Sequence, residues 1–60
     1  MSRRETEILR CIMRGRTGSQ IAYSLMISPH TVRAHVRNIY LRLGVHSRVE
    51  LIRRVLVFDE

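Results

Sequence analysis

The sequence predicts an all-α domain of four helices, and three features support this prediction. Gly15, Gly18, Pro29 and Gly44 are the only Gly and Pro residues, and they divide the chain into four segments. In every segment the apolar residues recur at the spacing of a helix with one buried face. Three of the segments also open with a Ser or Thr followed three positions later by Glu or Gln, the capping box that is typical of a helix start.

Capping boxes define the first two helices. Ser2 and Glu5 open the first helix, which we expect to stop at Gly15, because Gly favours the left-handed conformation found after many helix ends. Thr17 and Gln20 open the second helix, which is short. The apolar stripes are Ile8, Leu9, Ile12 and Met13 in the first helix and Ile21, Ala22 and Leu25 in the second.

The third and fourth helices have equally clear start signals. Ser28 is a good N-cap, and Pro29 suits the first helical position, where its missing N–H costs no hydrogen bond. Gly44 ends the third helix, and Ser47 with Glu50 forms a capping box for the fourth. The core stripe of the third helix is formed by Val32, Val36, Ile39 and Leu43. The fourth helix carries two apolar stripes, the first formed by Val49, Ile52 and Leu56 and the second by Leu51, Val55 and Phe58.

Composition narrows the classes of function that the chain can have. At 60 residues it is one domain, and a chain of this size buries only about 60% of its unfolded surface, which leaves no room for a deep catalytic cleft. It has 11 basic residues, all of them Arg, and 5 acidic ones. The resulting net charge of +6 favours binding to polyanions such as nucleic acid. The single cysteine, Cys11, forms no internal disulfide and is expected as a small buried residue. Since no apolar run is long enough to span a bilayer, we expect a cytoplasmic location.

The outward face of the third helix is basic. Opposite the core stripe, a helical projection places His30, Arg33, Ala34, Arg37, Asn38 and Leu41. Arg33 and Arg37 lie one turn apart around the small Ala34, which suits insertion into a DNA groove, where Arg contacts base edges or phosphates. With the short helix and tight turn before it, this helix forms a helix-turn-helix over about residues 18–37. The alternative is a solvated basic face without a ligand.

A set of residues spread over the chain has a specific combined spacing: Arg4-Glu5, Glu7-Ile8-Leu9, Gly15, Ile21-Ala22, Leu25, Ile27-Ser28, Thr31-Val32-Arg33, His35, Ile39, Arg42-Leu43, Val45 and Ser47-Arg48. In these positions the sequence resembles the LuxR family of bacterial helix-turn-helix domains, also called the GerE or FixJ type. The similarity runs from Met1 to about Arg54. The family commonly has Lys where this chain has Arg33 and Arg42, which allows a different preferred base.

The resemblance implies the DNA-binding domain of a bacterial transcription regulator, such as a response regulator, with the third helix in the major groove. By the family pattern, the base contacts are Arg33, Ala34 and Arg37. The phosphate contacts are Thr17, Gly18, His30 and Thr31, with Asn38 as a further candidate. In this family the fourth helix, here about residues 48–58, usually forms the dimer contact. The apolar stripe that the core does not need would form this contact here: Leu51, Val55 and Phe58.

The resemblance also implies partners. A homodimer would bind an inverted repeat in double-stranded DNA, with half-sites about one helical turn apart, and RNA polymerase is a further candidate partner. Most family members carry a regulatory domain upstream, which is a receiver, an acyl-homoserine-lactone sensor or an ATPase. This chain contains none, so we expect either an excised domain or a stand-alone effector.

Other classes of function are less well supported by the sequence. We expect no enzyme and no cofactor, because the chain has no Gly-rich phosphate loop, no paired catalytic carboxylates and no nucleophile beside a base. His30 and His35 do not share a helix face, so we expect no metal site, and His35 either packs at the edge of the core or contacts a phosphate. Three alternatives remain: a protein-interaction module that pairs with a larger regulator through its last helix, a basic amphipathic membrane binder, and the DNA-binding region of a sigma factor. The separate stop signals of the helices argue against the membrane binder.

Overall fold

The computed structural model describes the backbone of residues 1–58 and the side chains of residues 1–57. This part of the chain is all-α, as the sequence predicts. Its elements are α1 (Arg3–Met13), α2 (Gly18–Leu25), α3 (Pro29–Leu43) and α4 (Arg48–Phe58). Within residues 1–58, no helix combines the length and the apolar character needed to cross a membrane.

The starts of α1 and α2 confirm the predicted capping boxes. The Ser2 hydroxyl accepts a hydrogen bond from the Glu5 N–H, and the Glu5 carboxylate accepts one from the Ser2 N–H, both at 3.1 Å. Thr17 and Gln20 form the same reciprocal pair at α2. Each pair satisfies a backbone donor that the helix itself cannot satisfy.

The start of α4 differs in part from its prediction. The Ser47 hydroxyl accepts from the Glu50 N–H at 3.1 Å, as expected. The Glu50 carboxylate, however, accepts from the N–H of His46 at 2.6 Å rather than from that of Ser47. The second half of this capping box is therefore wrong, because the chain bends at His46 and Ser47 and turns the earlier N–H towards the carboxylate.

The core is built around α3. Both α1 and α2 pack along this helix, and α4 makes a smaller contact with it. The buried apolar side chains come from all four helices and from the loop after α3: Ile8, Ile12, Ile21, Ala22, Val32, Ile39, Val45 and Leu51. The half-buried Cys11 packs against this cluster. Since α3 contributes Val32 and Ile39 to the middle of the core, its outward face has a fixed orientation.

The two apolar stripes of α4 divide the surface differently from the prediction. Leu51 is 0% exposed, and Val55 packs partly buried against the core. Val49 and Leu56, on the other stripe, are 61% and 54% exposed. The expected dimer role of Leu51 is therefore wrong, because its side chain has no surface left for a partner, and the side chain of Phe58 lies outside the described residues. Both stripes are apolar, so the packing of α4 on the other helices decides which one is buried.

A buried carboxylate connects α1 with α3. Glu5 is only 6% exposed, and besides its capping bond its Oε1 lies 3.8 Å from Nε of Arg42. A carboxylate that loses water needs such partners. The pair fixes the N-terminal end of α1 beside the C-terminal half of α3.

Candidate nucleic-acid interface

The turn between α2 and α3 sets the angle between the two helices. Met26 ends α2 in the left-handed conformation, with φ 58° and ψ 42°. The N–H of Ile27 then donates to the Ala22 carbonyl at 3.0 Å, which closes the helix end. Ser28 follows as the N-cap of α3 and accepts from the Thr31 N–H at 3.0 Å. Two helices joined by this short turn form a helix-turn-helix.

The three residues predicted to contact bases lie next to one another on the exposed face of α3. Arg33, Ala34 and Arg37 are all exposed, on the side of α3 away from the buried Val32 and Ile39. With His30, these three residues line a shallow concavity of about 350 Å³. Because Ala34 has only a methyl group, it leaves room beside the two Arg side chains for another molecule to approach the helix backbone.

A second concavity adjoins the first and connects it to α2. Its volume is about 400 Å³, and it lies where the N-terminal ends of α2 and α3 meet. It is lined by Thr17, Gly18, Ser19, Pro29 and Arg33. Since Arg33 borders both concavities, the predicted base contacts and the predicted contacts at the start of α2 form one continuous surface.

The positive charges of this surface have no carboxylate partners within residues 1–57. Neither Arg33 nor Arg37 forms an ion pair with a carboxylate of residues 1–57. The glutamates within this range are all engaged with other cations or caps: Glu5 with Arg42, Glu7 with Arg3 and Arg4, and Glu50 with His46. The two guanidinium groups are therefore free to bind an anion from outside.

The helix starts add backbone donors that differ in number. At α2, the cap uses the N–H of Gln20, and the N–H groups of Gly18 and Ser19 have no partner among the described residues. At α3, Pro29 has no N–H and Thr31 donates to Ser28, so the N–H of His30 is the free one. The start of α2 therefore offers the stronger backbone site for an anion, since its dipole and two donors point the same way.

Two other candidate residues lie apart from this surface. Asn38 is exposed, but it lines a separate concavity of about 370 Å³ with Glu5, Leu41 and Arg42, on the α1 side of α3. His35 is half-buried at the edge of the core. Within the described residues, no three His, Cys, Asp or Glu side chains are grouped as a metal site would require.

Sequence reasoning did not identify one residue that lines this surface and one that lies behind it. Ser19 lines the concavity at the start of α2. Its position in the first helical turn, next to Gly18, was the available signal. Arg48, the first residue of α4, donates from Nη2 to the carbonyls of Ile12 and Arg16, just before α2 begins. That contact joins residues far apart in the chain, so no local sequence pattern predicts it.

Comparison with known proteins gives a consistent result. Residues 1–55 match the family described as bacterial regulatory proteins, luxR family. The chain is 50% identical over 52 residues to the Fimbriae Z protein of Escherichia coli strain K12, which covers 87% of this chain and 25% of that protein. It is 46% identical over 57 residues to the nitrate/nitrite response regulator protein homolog of Haemophilus influenzae, which covers 95% of this chain and 26% of that protein. The chain thus spans about a quarter of the length of these relatives.

A solved structure has the same fold. The response regulator ChrA of a heme-sensing two component system superposes with a TM-score of 0.89 at 38% sequence identity. The match covers 97% of this chain and 29% of that one.

Proposed function

Because this chain belongs to the luxR family of bacterial regulatory proteins and is a DNA-binding domain of a transcription regulator, we propose that α3 enters the major groove of double-stranded DNA. The observation that carries this proposal is the pair of exposed guanidinium groups of Arg33 and Arg37 beside Ala34, neither of which pairs with a carboxylate of residues 1–57. The major groove is wide enough for an α-helix and displays a distinct donor and acceptor pattern for each base pair.

Arg33, Ala34 and Arg37 contact the bases in this proposal. A guanidinium group can donate two hydrogen bonds to O6 and N7 of one guanine, and the Ala34 methyl group can pack on a thymine methyl group. One helical turn separates the two Arg residues, so they reach neighbouring base pairs. The sequence preference of the protein then resides in these three positions.

The phosphates are bound around this centre. The N–H groups of Gly18 and Ser19 and the hydroxyl of Thr17 face one phosphate at the start of α2, and His30 and Thr31 face another at the start of α3. The Thr17 hydroxyl accepts from Gln20 and keeps its proton for a phosphate oxygen. Asn38 would serve a phosphate on the opposite side of the groove, consistent with its separate position on α3.

Dimer formation is assigned to the exposed stripe of α4. Val49, Ile52 and Leu56 lie on one face at helical spacing, and the exposed Val49 and Leu56 offer apolar surface that a second copy can cover. This stripe replaces Leu51 in the role that the sequence predicted. Val55, half-buried, contributes at most its outer edge. Two copies related by a two-fold axis would bind an inverted repeat with half-sites about one helical turn apart.

The wider setting of the protein follows from the family. We assign residues 1–60 to the DNA-binding domain, with the helix-turn-helix at about residues 18–37 and the dimer helix at α4. The regulator would act in the bacterial cytoplasm on the chromosome, with RNA polymerase as a further partner.

A selection from random duplex DNA at near-physiological salt tests this proposal. The salt must be controlled because a basic protein binds any duplex when the ionic strength is low. Enrichment of a palindrome with half-sites about one turn apart supports a dimer that recognises sequence. Binding without enrichment, lost as the salt rises, would refute specific recognition and favour the protein-interaction module, for which the exposed α4 stripe would be the contact surface.

A further inference from the structure

Arg48 connects α4 to the chain segment that leads into α2. It is the half-buried first residue of α4, and its Nη2 donates to the carbonyl of Ile12, in the last turn of α1, at 3.3 Å. The same nitrogen donates to the carbonyl of Arg16. Arg16 immediately precedes Thr17, the N-cap of α2. A single side chain therefore joins the end of α1, the start of α2 and the start of α4.

The Arg16 carbonyl matters because of what shares its peptide plane. The carbonyl of Arg16 and the N–H of Thr17 belong to one rigid peptide unit. That N–H donates to the Gln20 side chain at 2.9 Å and forms half of the capping box of α2. The N–H of Arg16 is also bound, to the Cys11 carbonyl at 3.1 Å. With Arg48 in place, the backbone from Arg16 to Thr17 is thus held at both ends.

We propose that Arg48 is a positioning residue for DNA binding, which fixes the Arg16–Thr17 peptide and so the direction in which the N–H groups of Gly18 and Ser19 face a phosphate. The inference rests on the proposed function, because it assumes that the start of α2 contacts DNA. Arg suits this task because the two N–H bonds of Nη2 are held in the plane of the guanidinium group and so point at two carbonyls. The ammonium group of Lys lies one bond nearer the backbone and rotates freely, so it does not hold the same geometry.

Arg54 provides a matched control within the same helix. Its Nη1 donates to the Leu43 carbonyl at 2.9 Å, at the end of α3. This contact resembles that of Arg48 in chemistry, since both bind carbonyls at a helix C-terminus. It differs in place, because Leu43 lies at the opposite end of α3 from the start of α2. Arg54→Lys therefore keeps the charge and alters a similar contact without touching the α2 start.

Gly18→Pro removes one of the proposed phosphate donors without disturbing the fold. Gly18 is the first residue of α2, where Pro is well tolerated, and the preceding Thr17 has φ −79° and ψ 164°, the extended conformation that a residue before Pro prefers. A Cβ atom added at Gly18 meets no atom within 4 Å. The substitution deletes the N–H and leaves the charge unchanged.

The experiment is a double-mutant cycle on the affinity for the selected DNA site, with Arg48→Lys, Gly18→Pro and both together. We expect Arg48→Lys to weaken binding about tenfold, Arg54→Lys to change it less than about twofold, and the Arg48→Lys effect to shrink markedly in the Gly18→Pro background. Losses that simply multiply in the double variant would overturn the positioning role, as would equal losses for Arg48→Lys and Arg54→Lys.

Two further readouts separate the possible failures. If Gly18→Pro alone leaves the affinity unchanged, the start of α2 does not contact a phosphate, and the proposed function fails at that point together with the role of Arg48. Amide hydrogen exchange in the absence of DNA shows whether Arg48→Lys acts locally or lowers the stability of the whole domain. Faster exchange confined to Thr17 and Gln20 supports local positioning, and a uniform increase over all helices contradicts it.

Discussion

The α2–α3 unit and α4 present their apolar residues in different ways. On α3, Val32, Val36, Ile39 and Leu43 form one apolar stripe, and the opposite face carries Arg33 and Arg37, so only one orientation buries the first and exposes the second. On α4, aliphatic residues occupy two stripes, and Leu51 is buried while Leu56, five positions later, is 54% exposed. The comparison teaches that periodicity orients a helix when its faces differ in chemistry, and that packing alone orients it when they do not.

The largest test of this contrast concerns the two leucines of α4. Leu51→Ala should destabilise the domain by about 2–5 kcal/mol, because it leaves a cavity in the core. Leu56→Ala should change the stability by less than about 0.5 kcal/mol, because the side chain is largely solvated in the single chain. Urea unfolding followed by circular dichroism measures both, and a larger loss for Leu56→Ala would reverse the assignment of the two stripes.

A charge placed on the exposed stripe tests the dimer. Leu56→Glu should weaken self-association by at least about 2 kcal/mol, since a carboxylate would enter an apolar contact without a partner. Val57→Glu introduces the same charge on an exposed neighbour that lies about 100° away around the helix. Analytical ultracentrifugation of both variants gives the answer. Equal effects of the two would show that the Val49–Leu56 stripe has no special role.

On α3, the proposed base contact of Arg37 can be distinguished from a contribution of its charge alone. Arg37→Ala should reduce the affinity for the selected site by about 1–3 kcal/mol and relax the preference at one base position. Arg53→Ala removes the same charge from the exposed surface of α4 and should leave the preference intact. Binding to a set of single-base variants of the site distinguishes the two. A uniform loss over all sites would reduce Arg37 to a phosphate contact.

The smallest expected effect lies in the turn between α2 and α3. Three junctions of the chain contain a residue with positive φ, and Gly15 and Gly44 occupy two of them whereas Met26 occupies the third. Because Met26 is strained in this conformation and 91% exposed, Met26→Gly should raise the stability by about 0.5–1 kcal/mol. Ser24→Gly, within the right-handed turns of α2, should lower it by a similar amount. Thermal unfolding of the pair checks the opposite signs.

The sequence predicts the local features of this molecule well. The four helices, the complete capping boxes at Ser2 and Thr17, the Ser28 cap and the left-handed Gly44 follow from residues that are neighbours in the chain. The exposed surface with Arg33 and Arg37 can also be predicted from the sequence, because the apolar and basic residues of α3 recur at helical spacing on opposite faces.

The features that the sequence does not predict depend on contacts between distant residues. The burial of Leu51 depends on how α4 lies against the other helices, and the burial of Glu5 depends on Arg42 across the α1–α3 contact. The bond from Arg48 to the Arg16 carbonyl spans the fold. At the start of α4, the choice of His46 over Ser47 as the donor to Glu50 depends on the path of the preceding loop.

The arrangement of α3 also bears on how such regulators diverge. One helix supplies both the centre of the core, through Val32 and Ile39, and the outermost groups of the surface that we propose to face DNA, through Arg33, Ala34 and Arg37. Substitutions at the outer positions leave the buried ones unchanged, so the proposed choice of DNA target and the stability of the fold depend on different positions of the same fifteen-residue helix. Under this proposal, a lineage acquires new operators through a few outward substitutions while the core residues of its scaffold stay the same.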